Sequence, residues 1–286
     1  MASGAEAVVA AATEQLRSTV VEHLTAGGRP PVAVGISAPG PLDPVTGHLI
    51  DPPNLPPSLH AFPLGPRIGE AVSLPWALDR DTNVAVLAES RFGAGVGFGD
   101  LVYMTVSTGI GGGIITSGRL LTGPDRAAGE LGHISVEMDG PVCGCGARGH
   151  LERLTSGTGI ARSALLALEA GVDAPLLRAI AERESPRPLE AVHVDEAASA
   201  GDAVATDIIA RALRAFAAAI VSIVNMFDSS SHTIKCHMSH GVLHTFPYRF
   251  PSSGICQRAC QAQCCNGDNA THCHRASYIS RASVMC

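Results

Sequence analysis

The most informative stretch of the sequence is Gly129-Glu130-Leu131-Gly132-His133, which is followed by Cys143-Gly144-Cys145-Gly146 and by Gly149-His150-Leu151-Glu152. His133, Cys143, Cys145 and His150 follow the spacing H-x9-C-x-C-x4-H. Two thiolates and two imidazoles form the ligand set of a closed tetrahedral zinc site, which has no open position for a catalytic water. The alternative is a pair of free cysteines near two unrelated histidines. A C-x-C pair in a body with no other cysteine before residue 229 favours the metal site.

A glycine-rich segment, Ser107 to Gly113, follows an apolar run and is expected to be a loop. Such a loop can turn several backbone N–H groups toward one point and form an anion-binding nest. It matches neither a Walker A motif nor a complete G-x-G-x-x-G. A glycine-rich hairpin turn without a ligand is the alternative, and the segment alone does not decide between them.

The segment Asp79-Arg80-Asp81-Thr82-Asn83 lies where a strand is predicted to pass into a helix. An aspartate at such a position usually caps the helix. A carboxylate there can also accept the proton of a sugar hydroxyl during phosphoryl transfer. Both roles remain open for Asp81 from the local sequence.

Short apolar runs alternate with helical patterns along the chain, which indicates an α/β fold. Val32–Ile36 and Leu101–Val106 are nearly all apolar, as is typical of strands that are buried on both faces. Apolar residues at helical spacing predict helices over residues 5–25, 83–91, 159–170 and 202–227. Ser37–Asp43 is predicted to be a loop at the end of the first strand, where open α/β sheets place ligands.

Composition limits the possible functions. The 286 residues suffice for two domains of about 100–200 residues each. A net charge of −6 argues against a nucleic-acid or anionic-membrane surface. The longest uncharged apolar run, Ala215–Phe227, is shorter than the roughly 20 residues that span a bilayer. The first residues lack the pattern of a signal peptide, so we expect a cytoplasmic protein.

The composition changes sharply at residue 229. Seven of the nine cysteines, six of the twelve histidines and the only lysine, Lys235, lie beyond it. We interpret residues 229–286 as out-of-frame translation, because a lysine-free, arginine-rich body indicates GC-rich codons. A second metal cluster or a disulfide module is the alternative, and an odd number of cysteines weakens the latter. The residues concerned are Cys256, Cys260, Cys264, Cys265, His272, Cys273 and His274, of which a disulfide module would use the cysteines only.

The combined motifs resemble the ROK family (repressor, open reading frame, kinase) of sugar kinases. Its signature is similar to G-E-L-G-H followed by C-x-C-G-x-x-G-x-L-E, and V-G-I-S-A-P-G-P-L-D, D-x-D-x-N and S-T-G-I-G-G-G occur here in the family's order. The likeness runs from Met1 to about Asp228. It implies an α/β, ribonuclease H-like, actin/hexokinase-type ATPase fold, with the sugar bound between two α/β domains and with both ends of the fold incomplete in this chain. We expect these domains over residues 1–100 and 101–228, with the divergent tail 229–286 outside the fold.

The resemblance also implies roles for individual residues. Asp81 matches the catalytic base, Gly40 lines the sugar site, and Glu130, His133 and Glu152 match contacts to sugar hydroxyls. The second phosphate loop of the family matches Thr108, Gly109, Gly111 and Gly112. Zinc is expected to be structural, and ATP with Mg²⁺ is the expected co-substrate. Homo-oligomers are typical of the family.

The chain departs from the family pattern at four places. His150 replaces a frequent third cysteine, and Arg80 replaces a frequent asparagine that touches the sugar. No D-x-G-G-T nucleotide loop precedes the first predicted helix, and no Gly-Gly loop follows Asp228. We therefore expect weak or no turnover from this chain.

Three functional hypotheses follow. The first is a glucokinase-like ROK kinase that transfers the γ-phosphoryl group of ATP to a hexose or amino-hexose. The second is a non-catalytic sugar-binding regulator or sensor, and the third is a chain whose exposed apolar edges lead to aggregation. The sequence does not identify the sugar.

Overall fold

The computed structural model describes residues 4–53, 55–227, 231–237 and 243–248. The chain divides into two units, Met1–Ala88 and Glu89–Cys286. The Cys/His cluster that the sequence suggests between Cys256 and His274 lies outside the described residues. Within the described ranges, no helix is both long enough and apolar enough to cross a membrane.

The first unit combines short strands with flanking helices. Its elements are α1 (Ala5–Thr25), β1 (Val34–Ala38), β2 (Leu42–Asp43), β3 (His48–Leu49), a 3-10 turn (Pro57–Leu59), α2 (Leu64–Val72), β4 (Trp76–Arg80) and α3 (Asp81–Phe92), which continues into the second unit. The helix predicted over residues 5–25 is confirmed. Its buried positions Val9 and Thr13 recur at the spacing of one helix face.

Strands β1 and β4 pair in parallel, from Val34 opposite Trp76 to Ala38 opposite Arg80. Both strands therefore end at the same edge of the sheet. The prediction that the first strand is buried on both faces is wrong, because Gly35 and Ser37 are exposed while Val34 and Ala38 are buried. This period-2 pattern is that of a strand covered on one face only.

The second unit contains a sheet, the knuckle with the predicted metal ligands, and a group of helices. Its elements are β5 (Leu101–Val106), β6 (Ile110–Thr116), β7 (Arg119–Leu120), a 3-10 turn (Leu131–His133), α4 (Leu151–Thr155), α5 (Gly157–Glu169), α6 (Pro175–Glu184), α7 (Ala191–Ser199), α8 (Ala203–Phe227), β8 (Ser231–His237) and β9 (Leu243–Tyr248). The strand predicted at Leu101–Val106 is confirmed to the residue. Helices α6 and α7 were not predicted.

The strand order in this sheet is β7-β6-β5-β8-β9. β5 pairs antiparallel with β6 and parallel with β8. Strands β8 and β9 lie within the segment that the sequence placed outside the fold. The structure differs there because the second edge of β5 is paired with residues 231–236, in register with Leu101–Val106. Residues 249–286 lie outside the described ranges.

Helix α8 covers the sheet and connects it to the other helices. Its buried Ala219 and Ile223 pack with Val102 and Met104 of β5 and with Leu151 of α4. A second cluster joins α5, α6, α7 and the first turn of α8, and it includes Ala164, Leu177, Val194, Ala197 and Ala205. Leu151 is fully buried between these elements, so the start of α4 has a fixed position next to the knuckle.

Candidate active site and metal centre

The side chains of His133, Cys143, Cys145 and His150 converge on one point. The Nδ1 atoms of the two histidines are 3.2 Å apart. The Sγ atom of Cys145 lies 3.3 Å from Nδ1 of His150, and that of Cys143 lies 3.9 Å from Nδ1 of His133. All four candidate ligand atoms lie within 4.8 Å of one another.

This geometry fits a structural zinc ion. Zn–N bonds of about 2.0 Å and Zn–S bonds of about 2.3 Å give tetrahedral edges of about 3.3–3.8 Å. The distances of 3.2, 3.3 and 3.9 Å are close to those edges, which they match to within about 0.4 Å. Four protein ligands would fill the coordination shell of such an ion and leave no open position for a substrate.

Burial changes the acid–base chemistry of two of these groups. It raises the pKa of the Cys143 thiol, while burial and the neighbouring His133 lower the pKa of the His150 imidazole. A neutral imidazole is the form that binds a metal, whereas a buried thiolate needs a cation to offset its desolvation. Without a cation both groups are therefore neutral at pH 7, and binding of a metal ion would release the Cys143 proton.

Local backbone structure places the four ligands. His133 ends a 3-10 turn, and His150 precedes α4 and forms a β-bridge with Ser135. Between them the chain folds back on itself, with the Cys143 amide donating to the carbonyl of Ala147 at 2.7 Å. Gly149 has a φ of +66°, and a Cβ there would collide with the carbonyl oxygen of Glu137. A residue with a side chain would therefore push His150 out of position.

The three predicted sugar-contacting residues of this unit lie around the metal ligands. Glu130 precedes the 3-10 turn and is exposed. His133 directs Nδ1 into the cluster, so its Nε2 remains for a second partner. Glu152, in the first turn of α4, accepts a hydrogen bond at Oε2 from the Ile110 amide at 2.8 Å. Sequence reasoning missed this last contact, since it joins residues 42 positions apart.

The glycine-rich segment is a tight hairpin. The loop predicted over residues 107–113 is wrong for residues 110–113, because Gly111, Gly112 and Gly113 lie in β6 opposite Thr105, Met104 and Tyr103. Gly112 permits this pairing: a Cβ on it would come within 2.5 Å of Leu131, which packs on the strand. The turn itself consists of Ser107, Thr108 and Gly109, and Thr108 is exposed.

In the first unit, Gly40 and Asp81 each follow the end of a paired strand. A Cβ on Gly40 would lie 2.9 Å from Cδ of Arg80, so the loop after β1 passes close to the start of α3. Asp81 is exposed, and its Oδ1 accepts the amide of its neighbour Thr82 at 2.8 Å.

Because Thr82 lies in the first turn of α3, the bond to its amide is a helix-terminal contact of Asp81. Asp79 makes other side-chain contacts of this junction. Its Oδ1 accepts the Arg80 amide at 2.7 Å and the side-chain amide of Asn83 at 2.8 Å. Asn83 is buried, with 2% of its surface exposed, so this contact lies in the packed part of the junction. The sequence pattern named both aspartates but could not separate their roles.

Comparison with known proteins identifies the family of the chain. A match to the ROK family covers residues 8–245, beyond the limit that the sequence placed near Asp228. The glucokinase of Thermotoga maritima is 39% identical over 198 residues, which are 68% of this chain and 60% of that enzyme. The N-acetylmannosamine kinase of Citrobacter koseri is 47% identical over 125 residues, 44% of this chain and 42% of that enzyme.

A solved structure agrees as well. The ROK hexokinase of Thermus thermophilus superposes with a TM-score of 0.68 at 34% identity, covering 82% of this chain and 70% of that one. The present chain spans less than two thirds of the length of the two relatives named above. Since the family match covers more than half of the 286 residues, this protein belongs to the ROK family.

Proposed function

We propose that the chain is part of an ATP-dependent sugar kinase of the ROK type, which phosphorylates a hexose or an amino-hexose. The two kinases that it resembles are named for glucose and for N-acetylmannosamine, which are sugars of these two classes. The proposal includes the ribonuclease H-like, actin/hexokinase-type arrangement of two α/β domains. It also includes zinc as a structural ion and Mg²⁺ as the companion of ATP.

The observation that carries the proposal is the difference between Asp79 and Asp81 in hydrogen bonding and exposure. Asp79 accepts the Arg80 amide and the buried Asn83 side chain, whereas the carboxylate of Asp81 is exposed after the end of a parallel strand and accepts the Thr82 amide at Oδ1. Ligands of open α/β sheets bind at such strand ends. With Oδ1 bonded to that amide, Oδ2 of Asp81 is suited to accept a proton from a sugar hydroxyl.

The other residues have roles that follow from their chemistry. Glu130, Nε2 of His133 and Oε1 of Glu152 would accept or donate hydrogen bonds to sugar hydroxyls and orient the reacting one. The turn Ser107–Gly109 would hold phosphate oxygens with its backbone N–H groups. Mg²⁺ supplies neutralisation of the charge on the phosphates when it is bound. Zinc, held by His133, Cys143, Cys145 and His150, fixes the knuckle and takes no part in the transfer.

The test is sugar-dependent ADP release by the zinc-loaded protein, with glucose and N-acetylmannosamine as substrates. We expect Asp81→Asn to lower kcat by about 10²–10⁴-fold, the usual contribution of a positioned base. Asp125→Asn is the matched control, because Asp125 is also exposed but lies outside the motifs. Equal rates for the two variants, or ADP release without a sugar, would contradict the proposal. Hexose binding by calorimetry with neither ATP–Mg²⁺ binding nor ADP release would instead favour a sugar-binding role without catalysis.

A further inference from the structure

The backbone of the turn Ser107–Gly109 is tied to the start of α5. The carbonyl of Ser107 accepts a hydrogen bond from the Gly157 amide at 2.8 Å. The carbonyl of Thr108 accepts one from the hydroxyl of Thr158 at 2.7 Å, and the Thr158 amide lies 3.4 Å from the same oxygen. Two successive carbonyls of the turn are therefore held on one side by one short segment.

These contacts determine where the N–H groups of the turn point. The peptide bonds of the turn are trans, and in a trans peptide the C=O and N–H bonds point in opposite directions. With the carbonyls of Ser107 and Thr108 directed at α5, the amides of Thr108 and Gly109 are directed away from it. Among the residues that the structure describes, no acceptor is bonded to either amide. Two adjacent N–H groups that share a direction can bind an anionic oxygen.

The N-terminus of α5 serves the turn and is not itself a place for an anion. Its first two amides are directed at the carbonyls of the turn, and the Gly159 amide donates to Oγ of Ser156 at 3.0 Å. Hydrogen bonds to a carbonyl polarise its peptide and strengthen the donor on the other side, by roughly 10–30% per bond. The partial positive charge of the α5 N-terminus is therefore transmitted through these peptides to the outward-facing amides of the turn.

Among these anchors, Thr158 contributes a side chain that can be changed without altering the backbone. Its hydroxyl lies 3.2 Å from Oγ of Ser156, which is fully buried and caps α5. After the turn, Oε2 of Glu152 accepts the Ile110 amide. A Cβ on Gly109 would lie 2.7 Å from that oxygen, so the turn packs closely against Glu152.

We propose that Thr158 is a positioning residue of the phosphate turn: its hydroxyl holds the Thr108 carbonyl so that the Thr108 and Gly109 amides face the phosphate oxygens of the nucleotide. This inference rests on the proposed function and adds a residue outside the glycine-rich motif. Thr158 itself contacts no substrate in this proposal. Removal of its hydroxyl frees the peptide between Thr108 and Gly109 to rotate, and the two amides lose their common direction.

The test uses the full zinc-loaded chain as Thr158→Val, with Thr158→Ser as the matched control that keeps the hydroxyl. Thr158 is exposed, so both variants should fold. Amide NMR signals of Thr108 and Gly109 are recorded without ligand and then with ATP–Mg²⁺ and glucose. In Thr158→Val we expect a shifted Gly109 signal in the free protein and roughly three- to tenfold weaker ATP binding, the value of one hydrogen bond. Glucose affinity and zinc content should match the parent chain, and Thr158→Ser should match it throughout.

Two results would overturn the inference, and they are distinguishable. If Thr158→Val leaves both the Gly109 signal and the ATP affinity unchanged, Thr158 does not position the turn, whether or not the chain is a kinase. The second result has two parts. The Gly109 amide signal of the ligand-free protein shifts in Thr158→Val, but ATP–Mg²⁺ does not shift the Thr108 and Gly109 signals of the parent chain. In that case the turn does not bind phosphate. That second result would also remove this turn from the proposed function.

Discussion

In the second unit, contacts between distant segments hold the candidate site residues, whereas in the first unit the register of one strand pair places them. His150 and Glu152 begin α4 next to a four-ligand cluster, and Glu152 reaches back to β6. Gly40 and Asp81 follow β1 and β4, which pair over five residues. The proposed binding groups of the second unit are thus fixed by tertiary contacts, and the proposed base of the first unit remains exposed.

The largest expected effect is the loss of the metal ion. Chelation should destabilise the second unit by about 4 kcal/mol if the free ion stands a thousandfold above its Kd. Hydrogen exchange measured by mass spectrometry should accelerate over residues 131–152, while exchange at residues 34–43 stays the same. Cys143→Ser should show the accelerated pattern without chelator and should not respond to it. Equal acceleration of exchange in residues 131–152 and 34–43 would contradict the proposal that the metal stabilises the site of the second unit alone.

A smaller effect is expected at Asp202, which joins two helices of the second unit. It is buried and accepts the amides of Leu177 in α6 and Ala205 in α8, each at 3.0 Å. Burial works against its ionisation, but backbone donors outweigh that effect and lower the pKa of Asp202. Asp202→Asn keeps only one acceptor oxygen and should cost about 2 kcal/mol at pH 7.

The sign of the pH dependence follows from the lowered pKa. The stabilisation from ionised Asp202 is complete above the unfolded-state pKa of about 3.9 and is lost as the pH falls through the folded-state pKa. The stability difference between the parent and Asp202→Asn should therefore shrink below about pH 4. Urea unfolding at several pH values measures this difference. Asp207→Asn is the control, because Asp207 is an exposed residue of α8. A difference that stays constant down to pH 2 would contradict the role of the charge.

The smallest expected effect is a difference in the free energy of unfolding between variants of Asp79 and Asp81. Asp79→Ala removes two hydrogen bonds at the start of α3 and should cost about 1 kcal/mol. Asp81→Ala should change the free energy of unfolding by less than about 0.5 kcal/mol, as is usual for exposed positions. Urea unfolding of both variants makes the comparison. If Asp81→Ala is the costlier change, Asp81 is the helix cap and its exposure does not mark it as the base.

The sequence predicted features whose signals are local. The four metal ligands lie within one short stretch, α1 has apolar residues at helical spacing, and β5 is a nearly continuous apolar run. The pairing of Gly111–Gly113 in β6 was not predictable in this way, because glycine is unfavourable in strands. Glycine is needed at position 112 because Leu131 packs there and leaves no room for a side chain. The Glu152–Ile110 contact and the pairing of β5 with β8 depend on chain segments far apart, and no local pattern reports them.

The four metal ligands lie close together in the sequence, and this affects the order of events when the protein folds during synthesis. All four ligands, from His133 to His150, are synthesised before α5–α8 and before β8, and they therefore emerge from the ribosome ahead of those elements. At about 5–20 residues per second, the remaining helices take several seconds more, which is ample time for a free ion to bind. We therefore expect zinc capture to precede closure of the sheet. Pulsed hydrogen exchange during refolding should show protection first within residues 133–150, and only when zinc is present from the start.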